Sequence, residues 1–231
     1  MTDIESQKEL INYLKKFVTD ERINRFEEVI KNRTRHITIV LEDIYQSHNT
    51  SAVLRTCDCF GVQDVHIIEN KNAYAVNPDI ALGASKWLNI YEYNLKEHNT
   101  LDCINKLKTK GYKILATSPH AKALEISEIK MDNKIALLFG TEKDGLSDLA
   151  LQNADEHVKI SMYGFTESFN ISVSAALCLF YLTEKLRHSK INWELSKEEI
   201  YPILIDWYKN TIKNADMLEQ RFISEKSKLL K

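Results

Sequence analysis

The chain has 231 residues, with 31 lysines and arginines against 33 aspartates and glutamates, and a formal charge of −2. At 44% hydrophobic residues, with six glycines and three prolines, it is a folding sequence, long enough for one large core with helical additions. The charge balance excludes a polybasic tail that holds nucleic acid by bulk attraction, and the four scattered cysteines exclude a disulfide framework.

The opening stretch MTDIESQKEL is polar and has no apolar signal core. Residues 1–36 read as two helices, with Leu10, Ile11, Leu14 and Phe17 and then Ile23, Phe26, Val29 and Ile30 at helical spacing. The segments 37–41 (ITIVL), 65–68 (VHII), 112–116 (YKILA), 135–139 (IALLF) and 158–160 are short apolar runs without a helical stripe. Continuous apolar strands suit a parallel sheet buried on both faces. Helices are predicted between them at 50–60 and at 101–110, the latter stopped by Gly111. Strand alternating with helix predicts an α/β core over 37–188, with helical arms at 1–36 and 189–231. In the second arm Ser196 with Glu198 and Glu199 marks a helix start, and Pro202 falls early, where proline is tolerated.

Three segments break the pattern of plain core. The first, 47–57, follows a strand directly and opens a helix. Asn49, Thr50 or Ser51 fits a helix cap there, and Arg55 fits either a structural salt bridge or a functional cation. The second, FGTEKDGLS at 139–147, runs from a buried strand into two glycines five residues apart. It lacks both the GxxxxGK[ST] and the GxGxxG spacing, so it is neither a P-loop nor a dinucleotide loop, and an ordinary tight turn remains open. The third, 160–170, is a glycine-containing loop that ends at Ser168 and Asn170. The helix beyond it is apolar nearly all round, which places it centrally or against a second subunit.

No metal or nucleophile pattern is found. Cys57 and Cys59 diverge on a helix, the seven histidines are scattered, and no GxSxG elbow occurs. Small buried cysteines are expected instead. The longest apolar run, 171–182, falls short of the roughly 18–20 residues of a membrane span, so a reduced cytoplasmic protein is expected.

Together the three segments resemble the SpoU (TrmH) family of RNA 2′-O-ribose methyltransferases, in the SPOUT superfamily. NTSAVLRTCDCFGV (49–62), FGTEKDG (139–145) and ISMYGFTESFNISV (160–173) match its three motifs in order and spacing. Ser161 stands where the family has proline and Phe169 where it has leucine. Both change side chains where the family uses mainly backbone, though Phe169 bears on the adenine pocket.

The resemblance implies a homodimer whose core ends in a deep trefoil knot, which the usual rules of chain connection would not suggest. The knot loops, 140–147 and 161–169 with the turn after Thr117, would bind S-adenosylmethionine through Thr117, Gly140, Ile160, Met162 and Phe169. No metal is implied. The family pattern assigns Arg55, Asn49, Glu142, Ser168 and Asn170 to catalysis. A neutral guanidine at pH 7 costs roughly 8 kcal/mol for an ordinary arginine, so Arg55 is expected to work as a cation on the ribose phosphate and the developing alkoxide. Glu142 is expected to order its loop or to pair with Arg55.

Short arms at both ends resemble the subgroup acting on guanosine 18 of the tRNA D-loop. An RNA surface is expected at Arg22, Arg25, Lys31, Arg33 and Arg35, although a basic cluster is also what a solvated helix face looks like. A ribosomal RNA methyltransferase and a non-catalytic RNA-binding protein of the same fold are the alternatives.

Overall fold

The computed structural model describes residues 3–75, 77–96, 98–118 and 123–229. The chain divides into two compact units. One takes in both chain ends, through Arg33 and again from Glu194, and the other is Thr34–Trp193.

The first unit opens with α1 (Ile4–Leu14), whose N-terminal amides are satisfied by the Asp3 carboxylate, 2.8 Å from the Ser6 N–H. A 3₁₀ turn at Lys15–Phe17 leads to α2 (Asp20–Ile30). Leu10, Ile11, Leu14, Phe26 and Ile30 are buried, whereas Phe17 is exposed because the 3₁₀ turn breaks the stripe.

The second unit holds, in chain order, β1 (Ile37–Glu42), α3 (Ser47–Phe60), β2 (Asp64–Ile68), α4 (Pro78–Ala81) and β3 (Asn89–Tyr93). Then follow α5 (Asn99–Thr109), β4 (Tyr112–Thr117), β5 (Leu124–Glu125), β6 (Lys134–Phe139), α6 (Asp148–Asn153), β7 (Glu156–Lys159) and α7 (Ile171–Arg187). The first unit resumes with α8 (Lys197–Thr211) and α9 (Ala215–Leu229). A capping box between Ser196 and Glu199 starts α8, and Phe26 packs on Trp207 and Tyr208 with ring centroids 5.4 and 5.2 Å apart.

The strands form one seven-stranded sheet in the order β3-β2-β1-β6-β4-β7-β5, with every pair parallel. Successive side chains of a strand face opposite sides. Ile37, Ile39 and Leu41 of β1 pack with Val53, Leu54 and Cys57 of α3 and with Ala175, Leu179 and Leu182 of α7. Val40 joins Ile104 and Leu107 of α5 and Ala150 of α6 on the other face. Both faces are thus covered, which explains the unbroken apolar runs in the sequence.

Two strands were not predicted. β3 is NIYEY, a half-exposed edge strand without a continuous apolar run, and β5 is only two residues long. One prediction is corrected: Cys59 is exposed, because two helical positions beyond the buried Cys57 lie on the opposite side of α3.

The strand order turns outward in both directions from β1, towards β2 and β3 on one side and β6 and β4 on the other. In open parallel sheets, ligands bind beyond the carboxyl ends of strands at such a switch point. The register pairs Leu41 with Phe139, Ala116 with Leu138, and Thr117 with Val158. The segments after β1, β6, β4 and β7 therefore emerge at one edge of the sheet.

Candidate functional site

The segment after β1 is anchored first. Glu42, buried at the strand end, accepts hydrogen bonds from the Thr100 hydroxyl at 2.6 Å and from the Ser147 N–H and hydroxyl at 2.8 Å each. Asp43 has a positive φ of 53° and accepts from the backbone amides of Asn70, Lys71 and Asn72. The path into α3 is thereby fixed at both flanks.

Helix α3 starts at Ser47 with Gln46 as its cap residue, so Asn49 is inside the helix and is not its cap. Asn49 is buried, and its amide serves three partners. The amide nitrogen donates to Gln46 Oε1 at 3.2 Å and to Glu142 Oε1. The amide oxygen accepts from Asn170 Nδ2 at 3.1 Å. One side chain in the first unusual segment thus joins the other two. Glu142 pairs with Asn49 and not with Arg55. Arg55 is exposed and makes no hydrogen bond or ion pair among the described residues, so it is not a structural salt bridge.

The loop after β6 closes on itself. The Thr141 and Gly145 amides exchange hydrogen bonds with each other's carbonyls at 2.9 and 3.0 Å, and the Asp144 amide donates to the Thr141 hydroxyl at 3.0 Å. A Cβ on Gly140 would fall 2.1 Å from the Gly145 carbonyl carbon and 2.2 Å from the Leu146 nitrogen. Only glycine permits this closure, and Gly145 itself has φ +71°. Ser147 then caps α6 by accepting from the Ala150 amide at 3.1 Å.

The segment 160–170 is irregular backbone between β7 and α7. Ser161 donates its hydroxyl to Glu125 Oε1 at 2.6 Å, and this bond, more than any other contact, holds the Glu125 carboxyl below its ordinary range. A side-chain tether thus stands where the family has the stiffness of proline. Ser168 is exposed, and Asn170 caps α7 by accepting from the Ser172 amide at 2.9 Å.

These segments enclose a cavity of about 360 Å³, within the roughly 300–1,000 Å³ typical of small-molecule sites. Thr117, Gly140, Ile160, Met162 and Phe169 all line it, as do Glu142 and Ser168. The Thr117 hydroxyl donates to the Leu138 carbonyl at 2.7 Å, so it is used within the sheet edge. Of the turn after Thr117, residues 119–122 lie outside the described residues. Sequence reasoning missed Ser174 and Cys178, which also line the cavity. The signal was present, since 171, 174 and 178 fall on one helical face. Burial pushes the Cys178 thiol up to about 12, so it faces the cavity as a neutral group. Arg55 does not line the cavity.

Two of the expected RNA contacts are corrected. Arg33 is 1% exposed, with its guanidinium carbon 5.3 Å from the centre of the Trp207 ring, which gives it a packing role. Arg35 is partly buried and paired with Asp64 at 3.1 Å. Arg22, Arg25 and Lys31 are exposed. Among the described residues, no group of three or more His, Cys, Asp or Glu side chains is placed to hold a metal ion, and no helix is long and apolar enough to cross a membrane.

Residues 36–180 match the model of the SpoU rRNA methylase family. A curated relative from Borreliella burgdorferi, named tRNA (guanosine(18)-2′-O)-methyltransferase, is 44% identical over 209 residues, 90% of this chain and 94% of the relative. The crystal structure of the Aquifex aeolicus TrmH/SpoU tRNA modifying enzyme superposes with a TM-score of 0.75 at 27% identity, covering 84% of this chain and 98% of that one. The Streptomyces viridochromogenes SpoU methyltransferase AviRb, solved with the cofactor AdoMet, shares the fold with a TM-score of 0.59 at 18% identity, over 70% of this chain and 65% of that one.

Proposed function

Because the chain belongs to the SpoU rRNA methylase family, we propose that it transfers a methyl group from S-adenosylmethionine to the ribose 2′-hydroxyl of guanosine 18 in the tRNA D-loop. The observation that carries this reading is the convergence of three sequence-distant segments. Asn49 bonds both Glu142 and Asn170 beside a cavity lined by Gly140, Ile160, Met162 and Phe169.

The cavity suits the cofactor. Its wall has apolar surface at Phe139, Ile160 and Phe169 for an adenine ring, and the backbone of 140–146 closes on itself beneath it. Three carboxylates, Glu142, Asp144 and Glu167, line it against two lysines, Lys143 and Lys159, and the small negative excess favours a ligand that carries positive charge. S-adenosylmethionine, when bound, supplies an electrophilic methyl group on a sulfonium. The C–S bond breaks as the O–C bond forms, so the products are the 2′-O-methyl ribose, S-adenosylhomocysteine and a proton released to solvent. The chain's task is to align the 2′-oxygen with the methyl group and to stabilise the charge that develops there. Alignment alone supplies about 7–11 kcal/mol in favourable cases.

Arg55, which stands outside the cavity wall of its own chain, clamps the ribose phosphate and stabilises the developing alkoxide once the acceptor is bound. Its exposed guanidinium is not committed to a partner among the described residues, which supports the role. Asn49 and Asn170 hold the loop of Glu142 and the start of α7 in register. Ser168, at the cavity wall, contacts the acceptor ribose.

Residues 37–188 form the methyltransferase core and the segments 1–36 and 189–231 are arms. Arg22, Arg25 and Lys31 are the RNA contacts on the first arm. The loops 140–147 and 161–169 belong to a deep trefoil knot, a reading supported by the interleaved order of β1, β6, β4 and β7. The active species is a cytoplasmic homodimer. Val173, Leu177, Phe180 and Tyr181 support the dimer, because they leave an exposed apolar stripe at helical spacing on α7. Incubation with labelled S-adenosylmethionine and transcripts of tRNA or ribosomal RNA tests the reading. Label is expected in tRNA alone. Label in ribosomal RNA alone, or in neither, overturns it.

A further inference from the structure

The tip of the loop between β7 and α7 carries two aromatic rings that the cofactor site does not use. Tyr163 is 98% exposed and Phe165 is 108% exposed, whereas Met162, Glu167, Ser168 and Phe169 of the same loop line the cavity. The rings flank Gly164, where an added Cβ would meet nothing within 4 Å, so the tip stands clear of the rest of the unit. Four residues, 163–166, separate two cavity-lining positions, which puts the rings at the cavity mouth.

Fully solvated aromatic side chains gain little from folding, and they are worth most when a flat apolar surface covers them. Two isolated rings beside a glycine do not make the contiguous apolar patch of a protein interface. They do suit separate planar partners. The methyl acceptor proposed for this cavity arrives on RNA, and an unstacked base next to the acceptor ribose is such a partner. Aromatic rings hold single-stranded bases by stacking, without reading sequence.

We propose that Tyr163 and Phe165 form a stacking platform for the nucleobases adjoining the acceptor ribose. This rests on the function proposed above. The rings hold those bases outside the nucleic-acid stack, so that the acceptor ribose enters the cavity mouth. Tyr163 acts through its ring face, and its hydroxyl is dispensable.

The test measures binding and methylation of a tRNA transcript by the full chain and by Tyr163→Ala, Phe165→Ala and Tyr163→Phe. Each alanine variant is expected to weaken RNA binding about ten-fold. Its affinity for S-adenosylmethionine, measured separately by equilibrium dialysis, is expected to be unchanged. Tyr163→Phe should recover the affinity lost in Tyr163→Ala. The slope of log affinity against log salt should stay constant, because stacking releases no counterions. Unchanged RNA affinity in both alanine variants overturns the proposal, and so does a hydroxyl requirement at 163. A change of oligomeric state in the alanine variants also overturns it and assigns the rings to a subunit contact. If the unaltered chain itself neither binds nor methylates tRNA, the functional reading fails as well. If it does both and the alanine variants match it, the stacking platform alone fails.

Discussion

Asn170 Nδ2 donates to Asn49 Oδ1 at 3.1 Å across 121 residues of sequence, and the same Asn49 amide donates to Glu142. The start of α7, the start of α3 and the loop after β6 are therefore held by one buried side chain. Asn49→Ala removes both bonds at once. A hydrogen bond to a charged group is worth about 1.5–3 kcal/mol, so kcat/KM is expected to fall about ten- to hundred-fold. Asn49→Ala combined with Asn170→Ala should cost less than the sum of the two, which a double-mutant cycle on methyl transfer measures.

Gly140→Ala tests the closed loop. The new Cβ would sit 2.1 Å from the Gly145 carbonyl, and backbone cannot yield there without opening the Thr141–Gly145 bonds. Overpacking costs typically about 1–3 kcal/mol, so cofactor affinity should weaken about ten-fold or more. Equilibrium dialysis with S-adenosylmethionine checks this, and retained affinity would show that the loop does not shape the site.

Arg55 separates activity from stability. It is exposed, and no partner within the described residues depends on it. Arg55→Ala should leave unfolding free energy within about 0.5 kcal/mol of the parent. Loss of a charge-stabilising donor should lower kcat by about 10²–10³-fold. Arg55→Lys keeps the charge and loses the fork, so it should recover little of the rate. Near-full activity of Arg55→Lys would contradict the bidentate clamp.

Acid should destabilise the second unit through His66. This imidazole, hydrogen-bonded to the Tyr93 hydroxyl at 3.0 Å, is depressed from 6.5 to about 3, chiefly by burial and then by Lys110. Below pH 6.5 the unfolded chain binds a proton that the folded chain refuses. Stability therefore rises with pH up to 6.5 and declines as pH falls towards about 3. His36 is shifted in the same direction, again first by burial. His66→Phe should flatten the pH dependence of the urea midpoint between pH 6.5 and 5. An unchanged slope would remove His66 as a cause.

Much of the sheet was legible because both of its faces are covered. Strands such as β1 and β6 then read as unbroken apolar runs, as at Ile37–Leu41. Edge strand β3 lacks that signature, since one side of NIYEY meets solvent. Two features of the site depend on tertiary neighbours that no local pattern encodes. The sequence at 47–51 offers several caps, and only the fold selects Gln46 and leaves Asn49 free to reach Glu142. Arg33 looks like part of a basic surface cluster, yet Trp207 comes from the far end of the chain to cover it. Helix α7 shows the opposite case. Its all-round apolar character is explained by the sheet on one side, while Val173, Leu177 and Phe180 remain exposed on the other.

The reaction proposed for this chain is the transfer of a methyl group to one ribose of tRNA. The most direct measurement maps 2′-O-methylation, nucleotide by nucleotide, in a tRNA transcript incubated with the chain and S-adenosylmethionine. The expected result is a single modified ribose at guanosine 18, absent with Arg55→Ala. Methylation of a base, or of a ribose elsewhere with guanosine 18 untouched, would contradict the account.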